Sequence, residues 1–307
     1  MPIAHRPHFD WRLRTRTLAL GERTLIMGIL NATPDSFSDG GRFLDPRAAL
    51  THALQMLDEG ADILDLGGES TRPNATPITP AEEQARVLPI LRAILAARPN
   101  AILSIDTYHA ETARLAIESG AEIVNDVSGL LWDEQMAATC ASLNCGVVLM
   151  HTRGRPQQWR TLPALAPAEV TPLVLRELEA RAQAALAAGI ARDAIVLDPG
   201  FGFGKAFDEN FPLLAHLDAL HALGFPLLAG LSRKGFLRRA LAQSDQTSAP
   251  NPVPSPNTFE AQQNATTAAN TAAILAGAHI LRVHNVRPTH EAAAIADRIL
   301  TTADITT

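Results

Sequence analysis

Aromatic residues are scarce in this 307-residue chain, at 5%, so alanine and leucine fill its helices instead. Cysteine is scarcer still. Cys140 and Cys145 form no C-x-x-C pair and cannot frame a disulfide fold, which suits a reducing cytoplasm. No apolar run reaches the ~18 residues that would cross a bilayer. Arg6, Arg12, Arg14 and Arg16 have no apolar stretch behind them, so the N-terminus does not read as a secretory signal. The net charge of −6 does not suggest wholesale nucleic-acid binding and leaves local anion sites open. Familiar catalytic motifs are missing too. There is no H-E-x-x-H or Cys/His cluster for catalytic zinc and no G-x-S-x-G for acyl transfer. Gly200–Lys205 fails as a nucleotide loop: Pro199 stands where a Walker A loop needs its first glycine, and Ala206 follows the lysine. The glycines of that run would instead let backbone approach a ligand edge.

What is present is one repeated unit: helix, glycine, short apolar strand, polar loop. Strands are expected at 24–31, 62–67, 101–106, 121–127, 146–151, 194–199, 226–231 and 278–284. Each is a continuous apolar run, as parallel strands covered on both faces require. Gly60, Gly120, Gly189, Gly224 and Gly277 sit where a helix closes in a left-handed residue before a strand. Thr79-Pro-Ala-Glu82 is a capping box, followed by an apolar face of Val87, Ile90, Leu91 and Ile94. Eight strands alternating with helices predict an α/β fold, a (β/α)8 TIM barrel, whose usual size is ~250 residues. Residues 1–20 form an N-terminal extension, a hairpin closing the barrel bottom with its arginines in water. Residues 21–307 form a single barrel domain. Residues 243–263, rich in Ser, Pro, Asn and Gln, read as a disordered insertion before the last strand.

In such a barrel the groups at the C-terminal strand ends converge on one rim. Here they are Asn31; Asp65, with Thr71, Arg72 and Pro73 beyond it; Asp106; Asn125 and Asp126; Met150 and His151; Asp198; Gly230 with Ser232 and Lys234; and Arg282 with His284. Asp106, Asn125 and Asp198 suit a flat, hydrogen-bonding heterocycle. Arg282, His284, Asn31 and Thr71 suit an anion, with arginine as the bidentate phosphate partner. Asn31 could also ligate Mg²⁺, a hard ion that prefers oxygen. Asp126 reads better as a cap, His151 as a structural histidine, and His216 and His221 as surface residues.

Taken in order, Asn31-Ala-Thr-Pro-Asp-Ser-Phe-Ser-Asp-Gly-Gly41, Asp65-Leu-Gly-Gly-Glu-Ser-Thr-Arg-Pro73, Ser104-Ile-Asp-Thr107, Asn125-Asp126, Asp198-Pro-Gly-Phe-Gly-Phe-Gly-Lys205, Ser232-Arg-Lys234 and Arg282-Val-His284 closely resemble the dihydropteroate synthase family of folate biosynthesis. The resemblance implies condensation of 6-hydroxymethyl-7,8-dihydropterin diphosphate with p-aminobenzoate. It implies pterin contacts from Asp106, Asn125, Met150, Asp198, Phe203, Gly230 and Lys234, and diphosphate contacts from Asn31, Thr71, Arg282 and His284, with Mg²⁺ at Asn31. Phe37, Thr71, Arg72, Pro73, Ser232 and Lys234 would line the aminobenzoate side. Asp65, Asp106, Lys234, Arg282 and His284 would carry catalysis in a cytoplasmic homodimer. Asn285 stands where the family usually has aspartate. Two other readings share the heterocycle set: a methyltransferase acting on methyl-tetrahydrofolate, and a non-catalytic pterin sensor. The anion set favours the synthase over both.

Overall fold

The computed structural model describes residues 5–33, 46–70, 75–247 and 258–304. An antiparallel hairpin, β1 (Phe9–Arg12) and β2 (Thr17–Leu20), opens the chain. Eight parallel strands follow: β3 (Leu25–Asn31), β4 (Ile63–Gly67), β5 (Ile102–Asp106), β6 (Ile123–Asp126), β7 (Gly146–Met150), β8 (Ile195–Asp198), β9 (Leu228–Ala229) and β10 (Ile280–Val283). Between and after them lie α1 (Pro46–Asp58), α2 (Pro80–Ala97), α3 (Ala110–Glu118), α4 (Met136–Leu143), α5 (Pro167–Ala187), α6 (Asn210–Ala215), α7 (Gly235–Thr247), α8 (Phe259–Leu275) and α9 (Val286–Asp304). The strand order is β8-β7-β6-β5-β4-β3-β10-β9, and a Leu197–Leu227 bridge joins its two ends. The ring is the expected (β/α)8 barrel.

Alternation along each strand divides the core in two. Outward residues such as Ile26, Leu30, Leu64, Leu103, Val147 and Leu281 pack beneath the helices. Inward residues Leu25, Met27, Ile63, Ile123, Val148, Val196, Leu228 and Ile280 form a separate plug with Trp11, Leu13 and Leu20 of the hairpin. Both faces are therefore buried, which is why the strands read as unbroken apolar runs. One inward step above the plug, the parity delivers Asp65, Asn125, Asp198 and Arg282, each two residues beyond a plug residue.

The hairpin is fastened from below. Trp11 is fully buried and donates its indole N–H to the Ala194 carbonyl at 2.9 Å. The expectation that the N-terminal arginines stand in water is corrected for Arg6. It is buried and bonded to Thr24 Oγ1 at 2.8 Å and to Asp297 at 2.9 Å. Arg14 donates to the Ile117 carbonyl, Arg16 to Glu122 at 3.2 Å, and Arg12 to Asp193 at 3.1 Å. Acceptors exposed at the lower ends of strands and helices recruit these donors.

Three further details differ from expectation. β9 is two residues long. Pro226, just ahead of it, offers a carbonyl to Leu197 N–H at 2.9 Å but has no N–H to return. Residues 243–247 and 259–263, expected in a disordered insertion, are helical, in α7 and α8. Thr258 caps α8 by accepting from Ala261 N–H at 3.1 Å, a start signal that the Gln- and Asn-rich composition masked. The rest of that segment, 248–257, lies outside the described residues. His221, expected at the surface, packs edge-on against the buried ring of His279, with centroids 5.7 Å apart. The helix-closing glycines behave as expected, Gly60 at φ +103° and Gly277 at +91°.

The Thr79 box forms in full: Thr79 Oγ1 accepts from Glu82 N–H, and Glu82 Oε2 accepts from Thr79 N–H at 2.8 Å. Replacing Thr79 by alanine should lower unfolding free energy by about 1 kcal/mol. Urea denaturation checks this, and an unchanged midpoint would show that packing alone holds the start of α2.

Candidate active site

At the upper end of the barrel the polar residues of non-adjacent strands meet. Arg282 of β10 donates from Nε to Asp65 Oδ2 at 2.6 Å and from Nη2 to Asp106 Oδ2 at 2.5 Å. Asn125 of β6 donates to the same Asp65 oxygen at 2.9 Å. Asp65 is fully buried, and Arg282 is 19% exposed. One guanidinium thus spans two carboxylates, using a planar fork that lysine lacks. Burial pushes the Asp106 carboxyl up to about 7, with Arg282 opposing the rise. The arginine itself is held above its ordinary value by the two carboxylates, which outweigh the cost of its own burial.

Asp198 ends β8 beside this cluster. Its Oδ1 accepts from Gly200 N–H at 2.7 Å. Burial raises its pKa, against that hydrogen bond and the nearby Lys234, Arg282 and Lys205. Gly230 faces it: a Cβ placed there would stand 3.8 Å from Asp198 Oδ2, so glycine leaves the space in front of the carboxylate open. Met150 is the register partner of Asp198. Lys234 Nζ lies 4.2 Å from the centroid of the Phe203 ring, and burial lowers its pKa to about 8. Met150, Asp198 and Gly230 therefore lie together, with Lys234 stacked on Phe203 and exerting its charge on Asp198. The loop above β8 is fixed by Lys205, whose buried ammonium donates to the Gly200 carbonyl at 2.8 Å. Gly200 is obligatory there, because its φ is +66° and a Cβ would fall 1.9 Å from the His151 carbonyl.

The residues expected to face an anion end β3 or follow β9 and β10. Ser232 Oγ accepts from His284 N–H at 3.2 Å and lies 3.0 Å from its Nδ1. Asn31 and Asp106 both stand over Gly67, their Oδ1 and Oδ2 atoms 3.8 and 3.5 Å from where a Cβ would be. Asn285 accepts from Arg233 at 2.8 Å and donates to Gln263 at 2.5 Å. An aspartate there could not make the second bond. Phe37, Thr71, Arg72 and Pro73 lie outside the described residues.

Asp126 does not cap the next helix, whose N-cap is Gln135; it closes the turn after β6 instead, accepting from Ser128 and Leu130 N–H at 2.7 and 3.0 Å. His151 is structural: it is buried, 3.1 Å from Glu177, and its pKa is pushed down to about 3 by burial and then by Lys205. Sequence reasoning missed the support around Glu69, which accepts from Tyr108 Oη at 2.7 Å and sits 3.3 Å from His109 Nε2. The signal was available, since Glu69 lies inside the second motif and Tyr108 is the sole tyrosine.

Comparison with known proteins points to one family. Residues 27–284 match the model described as pterin binding enzyme. A dihydropteroate synthase of Streptococcus pyogenes is 39% identical over 275 residues, 90% of this chain and 95% of that protein. One from Synechocystis sp. is 38% identical over 291 residues, 95% of this chain and 92% of the relative. The structure of the Xanthomonas albilineans synthase with 4-aminobenzoic acid has a TM-score of 0.81 at 39% identity, covering 96% of this chain and 98% of that one. The Yersinia pestis synthase with a sulfonamide drug has a TM-score of 0.83 at 37% identity, covering 96% and 100%. With its barrel, its rim of acids and amides and these relatives in agreement, the chain belongs to the dihydropteroate synthase family of pterin-binding enzymes.

Proposed function

We propose that the protein is a transferase that condenses 6-hydroxymethyl-7,8-dihydropterin diphosphate with p-aminobenzoate, giving 7,8-dihydropteroate and diphosphate. The observation that carries this reading is the Asp65–Arg282–Asp106 cluster beside Asn125 and Asp198. It offers acceptors for a heterocycle and a cation for an anion within one pocket. Relatives with 4-aminobenzoic acid and with 7,8-dihydropteroate support the two substrate classes.

In this reading Asp198 and Asn125 pair with the polar edge of the pterin, and Lys234 and Phe203 close its slot. Arg282 and His284 hold the diphosphate. Ser232, accepting from the His284 backbone, can give its hydroxyl proton to Nδ1, which leaves Nε2–H facing the anion. The methylene C–O bond breaks with its electron pair going to diphosphate. Asp106, ionised, stabilises the resulting cation. The neutral arylamine nitrogen then forms the C–N bond and its proton passes to water, so no strong base is needed. Rate enhancement comes from charge placement and positioning. Mg²⁺ fits this site as a partner of substrate oxygens, with Asn31 supplying one neutral oxygen over Gly67, on the same side as Asp106. When bound it would screen the diphosphate charge. Phe37, Thr71, Arg72, Pro73, Ser232 and Lys234 are assigned to the aminobenzoate side by the same reading, within a cytoplasmic homodimer.

The direct test is turnover: purified protein with both substrates and Mg²⁺ should release diphosphate only when p-aminobenzoate is present. No product would overturn the proposal and favour a pterin sensor. Transfer from methyl-tetrahydrofolate would favour the methyltransferase.

The pH dependence follows from the two shifted groups. Asp106 is neutral below its pKa of about 7 and cannot then stabilise a cation. Lys234 loses its charge above about 8. The kcat/KM profile, which reports the free enzyme, should be bell-shaped with limbs near those values. Lys234→Arg should remove the alkaline limb. A flat profile from about pH 6 to 9 would separate both groups from the rate.

A further inference from the structure

Asp65 Oδ1 and Ser104 Oγ are closed to solvent and have no hydrogen-bond partner among the described residues. Both residues are 0% exposed. They are register partners across β4 and β5, and both have the inward parity of Ile63 and Asp106. They therefore stand side by side where the apolar plug meets the polar rim. Ile123, the register partner of Ser104 on its other side, belongs to that plug.

An orphaned buried hydroxyl or carboxylate oxygen is uncommon, because its lost hydration is not replaced. Two of them on adjacent strands call for a shared partner. The opposite carboxylate oxygen, Asp65 Oδ2, already accepts from Arg282 and Asn125. The carboxylate lacks a donor on its Oδ1 side, and the serine hydroxyl can both donate and accept.

We propose that one internal water molecule bridges Asp65 Oδ1 and Ser104 Oγ, and that Ser104 is a positioning residue for the Asp65–Arg282–Asp106 cluster. The water donates to Oδ1 and accepts from the serine hydroxyl. It holds the carboxylate plane so that Oδ2 stays turned to Arg282. The catalytic consequence rests on the synthase reading; the water site does not.

A high-resolution crystal structure of the ligand-free protein tests the site. The expected result is one ordered water within hydrogen-bond distance of both atoms. A direct hydroxyl–carboxylate bond with no water would overturn it. Ser104→Ala should lose the water and lower kcat/KM about tenfold, the scale of one hydrogen bond to a charged group. Its acid limb should move to higher pH, while Ser104→Thr, which keeps the hydroxyl, should restore both. An alanine profile that overlays the parent would refute the positioning role. Should Ser104→Ala fail to fold, the threonine variant and the parent structure decide. An inactive parent would remove the synthase reading, and the position of Arg282 in the alanine crystal would then decide whether Ser104 orders the cluster.

Discussion

Arg282→Ala is expected to damage both stability and activity. Its guanidinium neutralises Asp65, fully buried, and Asp106, 17% exposed. Removing it strands the fully buried Asp65 carboxylate without its cation and leaves the partly exposed Asp106 unpaired, and breaking a buried pair in this way typically costs about 3–5 kcal/mol. It also removes the fork proposed to hold the diphosphate, worth about 2–5 kcal/mol of binding. Urea unfolding reads the first effect and calorimetric titration with the pterin diphosphate reads the second. Parental affinity would take Arg282 out of the anion site. Arg282→Lys should fall between, since an ammonium restores charge but cannot reach both acids in one plane.

Asp198→Asn should abolish pterin recognition while sparing the fold. Oδ1 is engaged by Gly200 N–H, and Oδ2 faces the space left by Gly230. An asparagine that keeps its oxygen on Gly200 must present its NH₂ to the slot, donor against donor. Sites built around such a bond lose on the order of a thousandfold or more in kcat/KM when it is mismatched. Melting temperature should change little, because the internal bond survives. Parental turnover would remove Asp198 from the pterin edge.

Much of this was legible along the chain, for a physical reason. Strands buried on both faces leave an apolar trace, and the point where each trace ends in a polar residue marks the rim. Asp65, Asp106, Asn125, Asp198 and Arg282 were found that way. What the chain could not display is pairing across the ring. Nothing local says that Arg282 meets Asp65, 217 residues earlier, or that Asn125 shares the same oxygen. Ser104 escaped because a small residue inside an apolar strand looks like packing. The helical ends of the expected insertion are hidden by composition, since the Gln and Asn residues that suggest disorder follow the Thr258 cap as helix residues. The burial of Arg6 is invisible locally, because residue type alone predicts exposure and its acceptors, Thr24 and Asp297, come from opposite ends of the chain.

The closure between β8 and β9 carries a consequence for motion. Every other junction of the ring holds at least two register pairs, whereas here a single Leu197–Leu227 bridge and the Pro226 carbonyl join the edges. Asp198 lies directly after one edge, and Gly230, Ser232 and Lys234 follow the other. The barrel's weakest hoop therefore runs between the two groups of residues proposed to hold the pterin. Transient parting there would separate those groups without unravelling the remaining strands, so the amide of Leu197 should exchange with deuterium well before those of β4 and β5. A ligand gripping both groups would act as a rivet across that gap, slowing exchange at Leu197 most of all.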